Sequence, residues 1–153
     1  MDLVLWRHAE AEDAADGMDD LQRSLTRRGE KQAIKVGHWL DRQLPEGVRV
    51  LCSPARRAEQ TVLALGRGFK LRAELAPGGA VADLLGLVRW PAVKSTVLVV
   101  GHQPMLGQTI AQLLGLAESE CAVRKGALWW LRSSQRGAQS RTVIVTVQSP
   151  ELL

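Results

Sequence analysis

Short apolar runs that end in glycine, proline or charged residues alternate along this chain with stretches whose apolar positions recur at helical spacing. The first run, Leu3-Val4-Leu5-Trp6, is apolar at consecutive positions and stops at Arg7-His8, the pattern of a strand buried on both faces. An acidic, Gly17-containing loop follows from Ala9 to about Asp20. Ala33, Val36, Leu40 and Leu44 then form one helical stripe, with Thr26 placed to cap it and Leu44-Pro45-Glu46-Gly47 to stop it, which predicts a helix from about Arg27 to Gln43. Val48 to Cys52 reads as the next strand. Ser53-Pro54 reads as a cap followed by proline at the first helical position, opening a helix from Ala55 to about Leu65 that Gly66 and Gly68 end. Leu71 to Leu75 reads as a short strand, Pro77-Gly78-Gly79 as a turn, and Ala80 to about Arg89 as a third helix. Thr96 to Val100 is a further buried strand. It leads through Gly101-His102-Gln103 into a helix opened by Pro104 and closed after Leu114 by Gly115. Leu128 to Leu131 and Thr142 to Val147 read as an edge hairpin joined by the polar stretch Arg132 to Arg141.

Repeated strand-helix units call for right-handed crossovers and a mostly parallel central sheet covered by helices on both faces, a three-layer α/β/α architecture. A length of 153 residues suits one domain spanning 1–153 and leaves no room for a large inserted lid. With 46% apolar and 24% charged residues the composition is that of a globular protein, and no apolar run approaches the ~20 residues of a membrane span. Cys52 and Cys121 offer neither a disulfide framework nor a zinc or redox motif, and the first residues lack the pattern of a signal peptide, so a reducing cytoplasm is expected.

The formal charge of +4 hides an asymmetry: residues 1 to 20 hold seven acids and one base, and the other 133 residues hold 19 bases and 9 acids. Fifteen of the bases are arginine, whose planar fork suits phosphate and carboxylate oxygens. No helix shows a basic face interleaved with aromatics, so nucleic acid is not an expected partner. In a parallel sheet, ligands bind outside the carboxyl ends of the strands. Two of the three histidines, His8 and His102, stand directly after apolar strands, and Arg7, Arg56 and Arg57 stand in the same class of loop. Such a cluster can hold a tetrahedral oxyanion while a neutral ring nitrogen attacks its centre. Nearby arginines are expected to push the His8 pKa down and keep that ring neutral. Arginines in the first turn of a helix oppose its dipole unless an anion lies close. His38, in mid-helix and away from any strand end, reads as a surface or packing residue and not a catalytic one. The three histidines lack metal-ligand spacing, and no motif calls for a cofactor.

Four blocks in order, Arg7-His8-Ala9, Leu25-Thr26 with Gly29 and Ala33, Ser53-Pro54-x-x-Arg57-Ala58-x-Gln60-Thr61, and Val100-Gly101-His102-x-Pro104, resemble the histidine phosphatase superfamily, or phosphoglycerate mutase-like group. The short length, Arg23 and Pro77-x-Gly79 are most similar to its SixA-type branch of phosphohistidine phosphatases. The resemblance implies a phosphoglycerate mutase-like fold and a phosphatase in which His8 becomes phosphorylated while Arg7, Arg57 and His102 hold the phosphoryl oxygens. It selects Arg57 over Arg56, because the family's arginine directly precedes Ala-x-Gln-Thr. Arg23 and Ser53 are further candidates for substrate binding, Arg23 at the pocket rim and Ser53 chiefly as the residue that shapes its loop.

Cleavage of an alkyl phosphate needs an acid near the leaving oxygen, and Glu74 and Asp83 are the candidates for that general acid. Imidazole leaves more easily, since its pKa near ~6.5 lets the departing nitrogen take a proton without a dedicated strong acid. The expected substrate is therefore phosphohistidine on a protein, a phosphotransfer domain or a phosphocarrier. A small-molecule phosphomonoesterase and a non-catalytic phosphate-binding module are the alternatives.

Overall fold

The computed structural model describes all residues, 1–153. Six strands form one sheet: β1 (Asp2–Arg7), β2 (Arg49–Cys52), β3 (Lys70–Leu71), β4 (Thr96–Gly101), β5 (Leu128–Arg136) and β6 (Gln139–Gln148), in the order β3-β2-β4-β1-β5-β6. The first four in that order run parallel, and β5 and β6 add an antiparallel edge. The four helices are α1 (Arg27–Gln43), α2 (Arg56–Leu63), α3 (Val81–Val88) and α4 (Met105–Leu114).

Alternation along the strands sorts the core into two layers. Leu3, Leu5, Leu51, Val97 and Val99 point to one face, where they pack with Leu84 and Val88 of α3 and Met105, Leu106 and Ile110 of α4. Val4, Trp6, Val50, Cys52, Leu98 and Val100 point to the other, against Val36 and Leu40 of α1 and Ala58 and Val62 of α2. Strands buried on both sides must be apolar at every position, which explains the uninterrupted runs. The expected three-layer α/β/α fold with a mostly parallel sheet is the observed one. No helix is long and apolar enough to cross a membrane.

Three local expectations are corrected. Ser53 does not cap α2: Ala55 is still extended (φ −63°, ψ 137°), the helix starts at Arg56, and Pro54 lies in the loop before it. The Ser53 hydroxyl instead accepts the Ala55 N–H within the loop, at 3.2 Å. The strand expected over Leu71 to Leu75 ends at Leu71, because the chain turns through a short 3-10 helix (Ala73–Leu75) that drives Leu75 into the core beneath α3 and α4. The polar stretch Arg132 to Arg141 is mostly paired strand, turning only at Gly137 and Ala138. Gly137 takes the left-handed conformation (φ 60°) that this tight turn requires.

Helix α1 is pinned to the loop after β1. The Thr26 hydroxyl accepts the Gly29 N–H at 2.9 Å, as expected for its cap, and the Glu10 carbonyl accepts the Thr26 N–H at 3.0 Å. A Cβ on Gly29 would overlap that same Glu10 carbonyl. Gly29→Ala is therefore expected to destabilise the fold by ~2 kcal/mol, the scale of an overpacked core position. Thermal unfolding should register a drop of several degrees, and an unchanged midpoint would show that the helix moves away without cost.

Candidate active site

The central strands β2, β4 and β1 are neighbours, so their carboxyl ends lie side by side. The ladder pairs Arg7 with Gly101 and Cys52 with Val100. It continues one residue further on each outer strand, with His8 N–H bonded to the Gly101 carbonyl at 3.1 Å and Ser53 N–H to the Val100 carbonyl at 3.0 Å. Strand register alone thus sets His8, Ser53 and His102 in one row, and α2 brings Arg57 to it. All four are buried, with 7% exposure at His8, 4% at Arg57, 3% at His102 and none at Ser53.

The His8 ring has its Nδ1 2.7 Å from the Ala9 carbonyl. A carbonyl can only accept, so Nδ1 carries the proton and Nε2 keeps a lone pair. Arg57 Nε donates toward that Nε2 at 3.4 Å. The far side of the same guanidinium is held by Asp20, through the backbone carbonyl at 2.8 Å and a carboxylate oxygen at 3.0 Å. The His102 ring lies 5.1 Å from that of His8, centroid to centroid, with its Nε2 2.7 Å from the Ser53 hydroxyl. Arg7 donates through Nη1 to the Val123 carbonyl at 2.8 Å. Its Nε and the Nδ1 of His102 are buried with no partner within the protein. A guanidinium N–H and an imidazole nitrogen without protein partners are groups that can serve the oxygens of an anion.

Both imidazoles are held neutral. Burial is the largest cause for His8, whose pKa falls to about 4, with Arg57, Arg7 and Arg23 pushing the same way against the Ala9 hydrogen bond. His102 falls to about 3, again chiefly through burial, then through His8 and Arg57. The neighbouring arginines do act as expected at His8, but behind desolvation. Because both folded pKa values lie below the ordinary ~6.5, the unfolded chain binds more protons in the window beneath it, so stability is expected to fall as the pH drops from ~6.5 toward 4. Unfolding midpoints measured across that window check this, with a smaller slope expected for His102→Gln.

The remaining candidates sit differently. Arg23 donates to the Glu12 carbonyl at 2.7 Å and to the Asp20 carboxylate at 3.1 Å, and its charge acts on His8. Asp20 thereby ties both arginines together, a role that no pattern distinguishes among the seven acids of the first 20 residues. Arg56 is exposed, while Arg57 is buried. Glu74 is paired with Arg72 at 2.8 Å, and a backbone hydrogen bond and that arginine hold its carboxyl below the usual range. Asp83 is exposed in the first turn of α3. Neither acid hydrogen-bonds to the row of His8, Arg57 and His102. Thr61 and Gln60 hold the loops in place: Thr61 Oγ1 accepts the Ala9 N–H at 3.0 Å and Gln60 Oε1 the Leu25 N–H at 2.7 Å.

This is an α/β protein with two buried histidines, an arginine and a serine clustered at the carboxyl edge of its sheet, and the chain belongs to the histidine phosphatase superfamily, whose branch 1 model matches residues 3–78. A phosphohistidine phosphatase SixA homolog of Haemophilus influenzae is 36% identical over 131 residues, covering 75% of this chain and 78% of that protein. Phosphohistidine phosphatase SixA of Escherichia coli is 35% identical over 122 residues, 74% of each chain. A solved structure of the protein histidine phosphatase SixA complexed with tungstate superposes with a TM-score of 0.78 at 29% identity, covering 99% of both chains.

Proposed function

We propose that this chain is a phosphohistidine phosphatase that takes the phosphoryl group from a histidine on a protein, carries it on His8 and releases it to water. The observation that carries the reading is the state of the His8 ring, protonated at Nδ1 by its bond to the Ala9 carbonyl and holding a lone pair at Nε2 beside Arg57. In the first step that lone pair attacks phosphorus while the P–N bond to the substrate imidazole breaks. The departing nitrogen keeps the electron pair and takes a proton from solvent. In the second step water attacks the phosphorus of phospho-His8, the electron pair returns to Nε2, and inorganic phosphate leaves. Arg57, Arg7 and His102 offer N–H donors to the non-bridging oxygens, with Arg23 at the rim. Relatives named for phosphohistidine support this substrate class, as does a site to which neither sequence candidate for a general acid is hydrogen-bonded, Glu74 being held below the usual carboxylate range by a backbone hydrogen bond and by Arg72.

The reading makes one domain, 1–153, sufficient for the activity and takes its partner to be a phosphotransfer domain or phosphocarrier in the cytoplasm. Incubation with a phosphohistidine-bearing phosphotransfer domain is expected to release phosphate and to leave an acid-labile label on the enzyme. An alkyl phosphate turned over faster, without such a label, would replace this reading by the phosphomonoesterase one. Tight phosphate binding without turnover would replace it by a binding module.

The pH profile offers a separate check. Only the neutral His8 ring attacks, so kcat/KM should hold as the pH falls below ~6.5 and fail only near the depressed His8 value of about 4. An acid limb at the ordinary histidine value would contradict it.

A further inference from the structure

Ser53 is wholly buried, and its hydroxyl has two neighbours: the Ala55 N–H at 3.2 Å and His102 Nε2 at 2.7 Å. An amide can only donate, so one lone pair of the hydroxyl is committed to Ala55 and its single proton has one acceptor in reach, the imidazole nitrogen. Were His102 Nε2 to carry the proton instead, the buried hydroxyl would accept twice and its own hydrogen would point at nothing. Buried polar hydrogens are rarely left that way.

We infer that Ser53 acts as a positioning residue, holding His102 in the Nδ1–H tautomer so that its unpartnered Nδ1 presents a proton to the phosphoryl group. The consequence lies on the far side of the ring. His102 Nδ1 is buried and has no partner within the protein. In the Nδ1–H form it is a free donor on a ring whose centroid lies 5.1 Å from that of His8, the role the proposed phosphoryl transfer needs. In the other form the same nitrogen would hold a lone pair toward an anion and repel it. Burial strengthens the arrangement, because a ring whose pKa is pushed to about 3 stays neutral and can offer only one of its two nitrogens as a donor. His8 is set by the same logic with opposite polarity: its Nδ1 proton is spent on Ala9, which frees Nε2 to attack. Two histidines in one site are thus given opposite duties by the groups their second nitrogens meet.

The inference rests on the phosphatase reading for its purpose, but its test does not require turnover. In the full-length protein labelled with nitrogen-15 at histidine, long-range proton–nitrogen correlation at neutral pH should place the His102 proton on Nδ1, and addition of inorganic phosphate should shift that proton's resonance. Ser53→Ala should move the His102 proton to Nε2, abolish the phosphate-induced shift and lower kcat by about 10²-fold, the order of one lost oxyanion donor. Ser53→Thr, which keeps a hydroxyl, should restore the tautomer and most of kcat. The proton found on Nε2 in the wild-type protein would overturn the inference, and that measurement needs no variant to fold. So would an unchanged tautomer in Ser53→Ala accompanied by lowered activity, which is the mark of a merely structural loop residue. Failure to hydrolyse phosphohistidine, with the tautomer as expected, would strike the proposed function and leave the Ser53 assignment standing.

Discussion

A His8→Ala protein is expected to fold and to lose phosphoenzyme formation and turnover together. The imidazole contributes a hydrogen bond to Ala9 and packing beside His102, so its removal leaves a small cavity in a site already lined with polar groups. Stability should change little, and the pH dependence of stability should weaken because one depressed titration is gone. Chemistry has no such reserve, since no other unprotonated nucleophile stands in the row: His102 Nε2 is engaged by Ser53, and burial pushes the Cys52 thiol far up. The loss should be of the order seen when a covalent nucleophile is deleted from a hydrolase, ~10⁶-fold in kcat. Acid-labile labelling by a phosphohistidine donor reads the first step and phosphate release the second. Turnover within tenfold of the wild type would end the covalent mechanism.

Arg57→Ala is expected to have the next largest effect. Its Nε faces His8 Nε2, the position an incoming phosphoryl group must take, and its other two nitrogens are fixed by Asp20. Removing a preorganised donor of this kind lowers kcat by about 10²–10³-fold. The variant also leaves the Asp20 carboxylate without its buried partner at the edge of the proposed phosphoryl site, which adds repulsion to the lost attraction. Arg57→Lys should recover little, because an ammonium cannot serve His8 and both Asp20 oxygens as the planar fork does. Arg57 is also one of the charges that depress the His8 pKa, so the acid limb of kcat/KM in Arg57→Ala should move upward from about 4. Arg56→Ala, on the exposed side of the same helix turn, is the control and should behave as the wild type. Equal losses at both positions would mean that the helix and not the buried guanidinium carries the effect.

How far the sequence reached depends on whether the signal was local. The bounds of α1 could be read because both ends carry their own punctuation, Thr26 bonding Gly29 and the Pro45 segment stopping the stripe. The Ser53-Pro54 pair carries similar punctuation, yet the helix begins at Arg56, since the Ser53 hydroxyl is drawn to His102, 49 residues away. Local capping propensity yielded to a tertiary hydrogen bond. The hairpin was underestimated for a related reason. Ser133, Ser134 and Gln135 pair with Thr142, Arg141 and Ser140 on a ribbon with mostly exposed side chains, where no alternation of polar and apolar residues is needed to form a ladder.

The order of the blocks Arg7-His8, Ser53 to Thr61 and Gly101-His102, each after an apolar run, already determined the α/β class and the gathering of these loops at one sheet edge, because strand patterning and the parallel-sheet rule are properties of the chain itself. Only the tertiary structure decided which atoms do what. It put the His8 proton on Nδ1, tied Arg57 to Asp20, set Ser53 against His102 and made burial the main cause of the low histidine pKa values. Those outcomes depend on donors, acceptors and desolvation supplied across space by residues far apart in the chain, and no spacing within a motif records them.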